Sequence, residues 1–104
     1  MQDVKRIEIV VESRVASALI EQLDRLGVHD YTALGDVSGR GRRGERGGDP
    51  FSGAFDNTYL LIAVDPADVE RVVDEVRPVL RRHGGMCLVS DAVWVRHDSD
   101  TDAD

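Results

Sequence analysis

The sequence has one cysteine, few aromatic residues and no long apolar run. Cys87 is the only cysteine among 104 residues, so no intramolecular disulfide can form and a reducing, cytoplasmic location is expected. No apolar run approaches the roughly 18 residues of a membrane-spanning helix. The first twelve residues also lack the apolar segment of a signal peptide. We therefore expect a single soluble domain.

These scarcities exclude several functions. Aromatic residues make up 5% of the chain, which disfavours an RNA-recognition module, because such modules stack bases on aromatic side chains. A metal-transfer site would need paired cysteines or histidines, whereas Cys87 stands alone and the three histidines are scattered. No carboxylate pair or nucleophile with an adjacent base stands out. The sequence predicts no catalytic residues, no metal site and no catalytic cofactor.

Charge is distributed unevenly along the chain. The net charge is −7, and four aspartates alternate through residues 98–104, which we predict to be a disordered acidic tail. Arginines instead concentrate in one glycine-rich stretch, "GDVSGRGRRGERGGDP", at 35–50. An acidic protein with a single basic loop suits a small anionic ligand better than nucleic acid, which requires a broad basic surface.

The apolar periodicity changes along the chain and predicts four strands and two helices. The strands are expected at 4–12, 31–38, 57–64 and 86–97, and the helices at 14–26 and from 66 to the Gly84–Gly85 pair. Ser13 and Asp65 are predicted N-caps, and Gly27 is expected just beyond the first helix. Pro78 should kink or loosen the last turn of the second helix. The Ser90–Asp91 pair suggests a bulge.

The resulting order, β-α-β-β-α-β, predicts an α+β, ferredoxin-like sandwich with a four-stranded antiparallel sheet. Both helices would cover one face of that sheet. The opposite face would stay partly apolar and uncovered, which favours burial in an oligomer. The domain should span residues 1–97.

The glycine- and arginine-rich stretch has a composition suited to anions. Glycines let backbone N–H groups approach a ligand closely, and arginines donate bidentate hydrogen bonds to phosphate or carboxylate. The glycines concerned are at 39, 41 and 44, and the arginines are at 40, 42, 43 and 46. Neither a P-loop nor a dinucleotide-binding fingerprint is present. From these residues alone, a solvated hairpin loop fits as well as a ligand site.

Three segments nevertheless resemble one family: "VKRIEIVVE", "DYTALGDVSGRGRRGERGGD" and "RRHGGMCLVSDAVWVRH". Over residues 4–97 the chain resembles the P-II signalling superfamily, and most closely its carboxysome-associated and bicarbonate-transporter-linked branch. In that branch, Tyr-Thr followed by G-x-G-x-R-x-x-R marks the base of a long T-loop. Tyr31-Thr32 is followed here by the matching residues Gly39, Gly41, Arg43 and Arg46. The T-loop would span about 39–56, and a second loop, the B-loop, about 82–87.

The resemblance implies a homotrimer that binds AMP, ADP or ATP in clefts between subunits. The implied nucleotide-binding residues are Gly35, Asp36 and Val37 beside the adenine, Gly39, Gly41, Arg42, Arg43 and Arg46 around the phosphates, Gly84 and Gly85 opposite them, and Arg96 of a neighbouring subunit. Bicarbonate or a similar anion would lie near Gly39, Arg40, Gly41 and Arg43. Met86 stands where nitrogen-sensing relatives carry a lysine, so AMP or ADP should compete well with ATP.

The implied function is that of a non-enzymatic sensor. Its T-loop would regulate an inorganic-carbon transporter or a carboxysome protein, in the cytoplasm or at the carboxysome. Two alternatives stay open. One is a slow nucleotide-hydrolysing protein, in which Asp36 would hold a metal ion. The other is a ferredoxin-like oligomerisation module that binds no nucleotide and whose loop contacts a protein directly.

Overall fold

The computed structural model describes residues 1–37, 39–41, 44–46, 56–95 and 97. The strands are β1 (Gln2–Glu12), β2 (Tyr31–Val37), β3 (Gly39–Gly41), β4 (Gly44–Arg46), β5 (Asn57–Val64) and β6 (Met86–Trp94), and the helices are α1 (Ser13–Arg25) and α2 (Val69–His83). A 3-10 turn, Pro66–Asp68, precedes α2. Arg42, Arg43, Arg96 and the acidic tail 98–104 lie outside the described residues.

The four long strands form one antiparallel sheet in the order β2-β5-β1-β6. Both helices pack against the same sheet face and share one core with it, which confirms the ferredoxin-like prediction. The core is built from alternate residues of β1 and β5 and from one stripe of each helix, since strands repeat every two residues and helices every 3.6. Its fully buried aliphatic side chains are Ile7, Ile9, Val11, Leu19, Leu60, Ile62, Val72 and Val76.

The other face of the sheet remains uncovered, as the sequence predicted. Leu34 of β2 and Leu88 of β6 are each 56% exposed on this face. Between them lies a polar cluster. Tyr59 Oη donates a hydrogen bond to Glu8 Oε2 at 2.7 Å, and Arg6 Nε lies 3.6 Å from Glu8 Oε1. An apolar face interrupted by paired polar groups is typical of a surface that is covered by another protein chain.

Replacing Tyr59 with phenylalanine should lower the free energy of unfolding by about 1 kcal/mol at neutral pH, because it removes this hydrogen bond. The pKa of Tyr59 is raised above its usual 10.0, mainly by the hydrogen bond to Glu8. Partial burial and the negative charge of Glu8 raise this pKa further, whereas the positive charge of Arg6 lowers it. Since the folded pKa exceeds the unfolded one, this contribution is complete below pH 10.0 and is lost as pH rises through the folded pKa.

Urea unfolding of both proteins across this pH range tests the prediction. The difference between wild type and Tyr59→Phe should be constant below pH 10.0 and shrink above it. A difference that does not change with alkaline pH would assign the loss to packing instead of the hydrogen bond.

The predicted N-caps need correction. Ser13 is the first residue of α1, and the cap position is Glu12, because the Ser13 hydroxyl bonds to Asp56 and Thr58 instead of to its own helix. Asp65 does precede a helical turn with Pro66 at its first position, but its side chain makes no capping bond to that turn; it accepts one from Gln2. Gly27 lies just beyond α1 with φ +88°, as predicted.

The predicted bulge at Ser90–Asp91 is wrong. The β1–β6 register is continuous, with Lys5 opposite Asp91 and Arg6 opposite Ser90. The irregularity lies in β2, where the register shifts between Leu34 and Val37. There Gly35 and Asp36 together face one residue of β5, which agrees with the weak strand pattern of that segment.

The last strand and the T-loop also differ from the sequence prediction. The last strand ends at Trp94 and not at 97. Part of the predicted T-loop is regular, because β3 and β4 pair as a short antiparallel hairpin. Helix α2 continues past Pro78 and ends at His83, directly before the Gly84–Gly85 pair as predicted, although the proline ring cannot donate the hydrogen bond of an ordinary helical residue.

Candidate functional site

The two predicted loops lie at the same end of the main sheet, which we call the loop end. Strand β2 ends here at Val37 and β5 begins here at Asn57, so both ends of the T-loop meet at this pair. Gly85 of the B-loop lies beside Val10, near the end of β1. Because the sheet order is β2-β5-β1-β6 and neighbouring strands lie about 4.8 Å apart, the two loops leave the sheet within roughly 15 Å of each other.

The hairpin of β3 and β4 brings the two halves of the arginine-glycine motif together. Gly39 lies opposite Arg46, Arg40 opposite Glu45 and Gly41 opposite Gly44. The first glycine and the last arginine of G-x-G-x-R-x-x-R, 39 and 46, are therefore cross-strand neighbours.

The end of β2 is open on one side. Gly35 is exposed, and a Cβ at this position would meet no atom within 4 Å. Val37 is half-buried, and its carbonyl accepts a hydrogen bond from Asn57 Nδ2 at 3.0 Å. Asn57 itself is fully buried. The segment predicted to border the adenine thus presents an exposed backbone at Gly35 and a firmly held one at Val37.

The two B-loop glycines have structural roles at the end of α2 and beside β1. Both have positive φ, +78° at Gly84 and +109° at Gly85, which favours glycine. The Gly84 N–H donates to the Leu80 carbonyl at 2.8 Å and so ends α2. A phosphate could accept that N–H only if this cap opened. A Cβ at Gly85 would lie 2.4 Å from the Val10 carbonyl oxygen, so this glycine is needed for close packing.

A cavity of about 360 Å³, which no sequence pattern predicted, opens at the opposite end of the sheet. It is formed by the start of β1, the α1–β2 connection, the end of β5 and the start of α2, with Trp94 of β6. Its lining residues are Gln2, Val4, Gly27, Val28, His29, Asp30, Ala63, Val64, Asp65, Asp68, Arg71 and Trp94. No local pattern marks such a site. The antiparallel strand order was the one signal that could have placed these segments together.

Hydrogen bonds between elements hold the cavity rim. Arg71 Nη1 donates to the Leu26 carbonyl at 3.2 Å and Nη2 to Asp68 Oδ1 at 3.1 Å, which connects the start of α2 to the end of α1. Gln2 Nε2 donates to Asp65 Oδ1 at 2.9 Å. The walls combine aliphatic side chains with carboxylates and the paired guanidinium of Arg71, a lining that suits an uncharged planar group better than a phosphate.

The cavity and the loop end are too far apart to act together within one protomer. Gln2 lines the cavity, whereas Val10 lies beside Gly85. Eight residue steps of a strand separate them, which corresponds to roughly 26 Å. One bound nucleotide is shorter than this distance.

The described part of the chain holds neither a metal-binding cluster nor a membrane-spanning helix. Within it, no three His, Cys, Asp or Glu side chains lie close enough together to hold a metal ion. Neither α1 nor α2, the helices of the described ranges, is long and apolar enough to cross a membrane.

The fold matches solved structures of P-II-like proteins. CPII, a nitrogen regulatory PII-like protein from Thiomonas intermedia K12 solved with ADP, AMP and bicarbonate, is 28% identical, covers 90% of each chain and gives a TM-score of 0.78. Its apo form gives 25% identity, a TM-score of 0.76 and coverage of 91% and 95%. A PII-like signaling protein from Thermus thermophilus gives 25% identity, a TM-score of 0.71 and coverage of 91% and 92%.

The comparison with functionally curated proteins found no match. The model of the family described as nitrogen regulatory protein P-II matches residues 4–99. This range contains both helices, the arginine-glycine motif, the B-loop and the main sheet. Of the sheet, only the first residues of β1 lie outside it. The chain therefore belongs to the nitrogen regulatory protein P-II family.

Proposed function

We propose that this protein is a non-enzymatic signalling protein that binds AMP, ADP or ATP as a homotrimer, with bicarbonate as a further ligand. The observation that carries the proposal is the likeness to Thiomonas CPII, whose solved complexes contain ADP, AMP and bicarbonate. The likeness covers 90% of both chains.

The phosphates would bind at the loop end. Gly39, Gly41, Arg42, Arg43 and Arg46 are the proposed phosphate-binding residues, and Gly35, Asp36, Val37, Gly84, Gly85 and Arg96 would complete the nucleotide site. The opposition of Gly39 and Arg46 across the hairpin supports this assignment, since it brings a glycine and an arginine of the motif to one place. Bicarbonate would use Gly39, Arg40, Gly41 and Arg43.

We propose that the adenine lies between Gly35–Val37 of one protomer and the cavity at the other end of the sheet in a neighbouring protomer. The roughly 26 Å between the two ends prevents one protomer from providing both halves of a site, whereas two protomers can place them side by side. A cavity of about 360 Å³ that combines aliphatic side chains with polar groups suits a planar base. The uncovered sheet face with Leu34 and Leu88 would be buried in the same trimer.

The T-loop would then report ligand binding to a protein partner. We propose an inorganic-carbon transporter or a carboxysome component as that partner, because bicarbonate is present in the CPII complexes. A loop that joins only two strands can change its conformation at little cost to the core.

Isothermal titration with AMP, ADP and ATP, each with sodium bicarbonate or sodium chloride at fixed pH and ionic strength, tests the proposal. We expect saturable binding at one site per protomer, with AMP and ADP binding at least as tightly as ATP, because Met86 offers no cation to an outer phosphate. Bicarbonate should strengthen binding. Light scattering should give a particle of three 11.5 kDa chains.

Other outcomes select the alternatives. No binding of any nucleotide would overturn the proposal and leave an oligomerisation module whose loop contacts a protein directly. Steady release of phosphate from ATP would instead identify a slow nucleotide hydrolase. Titration with GTP serves as the control for recognition of the base.

A further inference from the structure

The T-loop leaves and re-enters the sheet at a fixed point, which we call the root: Val37, Asp56, Asn57, Thr58 and Ser13. Its central residue, Asn57, is 0% exposed and is the buried polar residue of the described core. Asn57 Nδ2 donates to the Val37 carbonyl at 3.0 Å. A side-chain amide thus closes the loop, in addition to the backbone pairing of β2 with β5.

Ser13 holds the other end of the loop. Its backbone N–H donates to the Asp56 carbonyl at 3.0 Å, and its hydroxyl donates to Asp56 Oδ1 at 2.7 Å. Thr58 Oγ1 lies 2.7 Å from the same Ser13 oxygen. Since a hydroxyl has one proton and Ser13 gives its own to the carboxylate, the Thr58 hydroxyl must donate to Ser13. The result is a chain of hydrogen bonds, Thr58 to Ser13 to Asp56, that ends on a negative charge.

The two sets of bonds act on opposite ends of one loop. Asn57 fixes the residue from which the chain leaves β2, and Ser13 fixes the residue through which it returns to β5. Ser13 is also the first residue of α1 and follows directly on β1. The root is therefore attached to the central strand and to a helix and not only to the neighbouring β2, which is an edge strand.

We infer that Ser13 and Asn57 are positioning residues for the nucleotide site: by holding Val37 and Asp56 they set the direction of the arginine-bearing loop toward the phosphates. This inference rests on the proposed function for its ligand. The hydrogen-bonded root itself does not depend on that function. Neither side chain would touch the nucleotide, so their effect would be on affinity through loop geometry.

Ser13→Ala is the principal test, because it removes the hydroxyl bonds while keeping the backbone bond from Ser13 to Asp56. We expect ADP to bind about tenfold more weakly, the effect of losing one charge-assisted hydrogen bond that orders the loop. Ser13→Thr keeps the hydroxyl and should restore binding. Ser17→Ala is the matched control, since Ser17 lies one turn further along α1 and is exposed; it should leave ADP affinity unchanged.

Hydrogen exchange supplies a readout without ligand. In Ser13→Ala, amides in segments 36–41 and 56–60 should exchange faster than in wild type, while the amides of β1 and α2 should not change. Thr58→Val, which removes the donor to Ser13, should shift exchange in the same segments by a smaller amount. Ser13→Ala should also melt several degrees below wild type, because the hydroxyl bonds to Asp56 and Thr58 are lost, whereas Ser17→Ala should melt with wild type.

The outcomes separate this inference from the proposed function. If wild type binds no nucleotide, the proposed function fails. Hydrogen exchange alone then tests whether Ser13 holds the two ends of the loop in place. If wild type binds ADP but Ser13→Ala binds it equally well, the inference is wrong while the proposed function stands. Unchanged exchange at both segments in Ser13→Ala also overturns it. The inference is also wrong if Ser13→Thr, which keeps the hydroxyl, binds ADP as weakly as Ser13→Ala does.

Discussion

Replacing Gly85 with alanine is expected to lower the free energy of unfolding by about 3 kcal/mol, of which backbone strain and overpacking each contribute about half. Gly85 has φ +109°, where an L side chain is strained. Its Cβ would also lie 2.4 Å from the Val10 carbonyl oxygen and 2.8 Å from Val11 Cγ1. Val11 belongs to the core and Val10 to the central strand, so neither can move without disturbing the sheet.

Two other glycines separate the causes of this loss. Gly27 shares the positive φ, +88°, but a Cβ there would meet nothing within 4 Å, so Gly27→Ala should cost only about 1 kcal/mol of strain. Gly35 has neither a positive φ nor a close neighbour. Gly35→Ala should therefore change stability by less than about 0.5 kcal/mol.

Urea unfolding of the three variants measures these differences. It should be followed by circular dichroism at one protomer concentration, because association contributes to the apparent stability of an oligomer. Equal losses in Gly85→Ala and Gly27→Ala would mean that contact with Val10 and Val11 adds nothing to the strain. A stable Gly85→Ala protein would contradict the close approach of the B-loop to β1.

Replacing Arg43 and Arg46 together with alanine is expected to weaken ADP binding by about 100-fold or more. Each charge-assisted hydrogen bond to a phosphate contributes roughly 1.5–3 kcal/mol, and each 1.4 kcal/mol changes affinity about tenfold. The loss should be greater for ADP than for AMP, because ADP has one more phosphate for the guanidinium groups to bind. Titration calorimetry with both nucleotides measures it.

Arg77→Ala is the matched control for lost positive charge, since Arg77 is exposed on α2 and lies outside both loops. It should change ADP affinity by less than about twofold. The double variant should keep its oligomeric state and melting temperature. Wild-type affinity in the arginine double variant would exclude these arginines from the site and favour docking of the loop on a protein.

Much of the architecture could be predicted from local pattern. Alternation in β1 and β5 and the 3.6-residue stripe of α1 and α2 determine which side chains face the core, and these patterns depend only on neighbours in sequence. The order of the elements then limited the fold to the ferredoxin-like plan. Tyr31-Thr32 and the arginine-glycine motif pointed to the family that the match over residues 4–99 shows.

Local sequence pattern gave wrong predictions where a polar side chain can bond either to the nearby backbone or to a residue distant in sequence. Serine is a common N-cap residue, yet the Ser13 hydroxyl bonds to Asp56 and Thr58, more than forty residues away in sequence. Two polar residues inside an apolar strand, Ser90 and Asp91, suggested a bulge. Their side chains instead bond across a regular strand pairing, Ser90 to Arg6 and Asp91 to Lys5. In both cases tertiary neighbours satisfied polar groups that the sequence pattern assigned to local structure.

By itself the sequence determined the elements, the core, the family and the composition of the glycine- and arginine-rich loop, because periodicity and motif spacing are properties of adjacent residues. Only the tertiary structure decided that Gly85 is required by its approach to Val10 and that Asn57 and Ser13 hold the T-loop root. It also placed the cavity at the far end of the sheet. Each of these depends on contacts between strands that are distant in sequence, which the antiparallel order creates and no local pattern encodes.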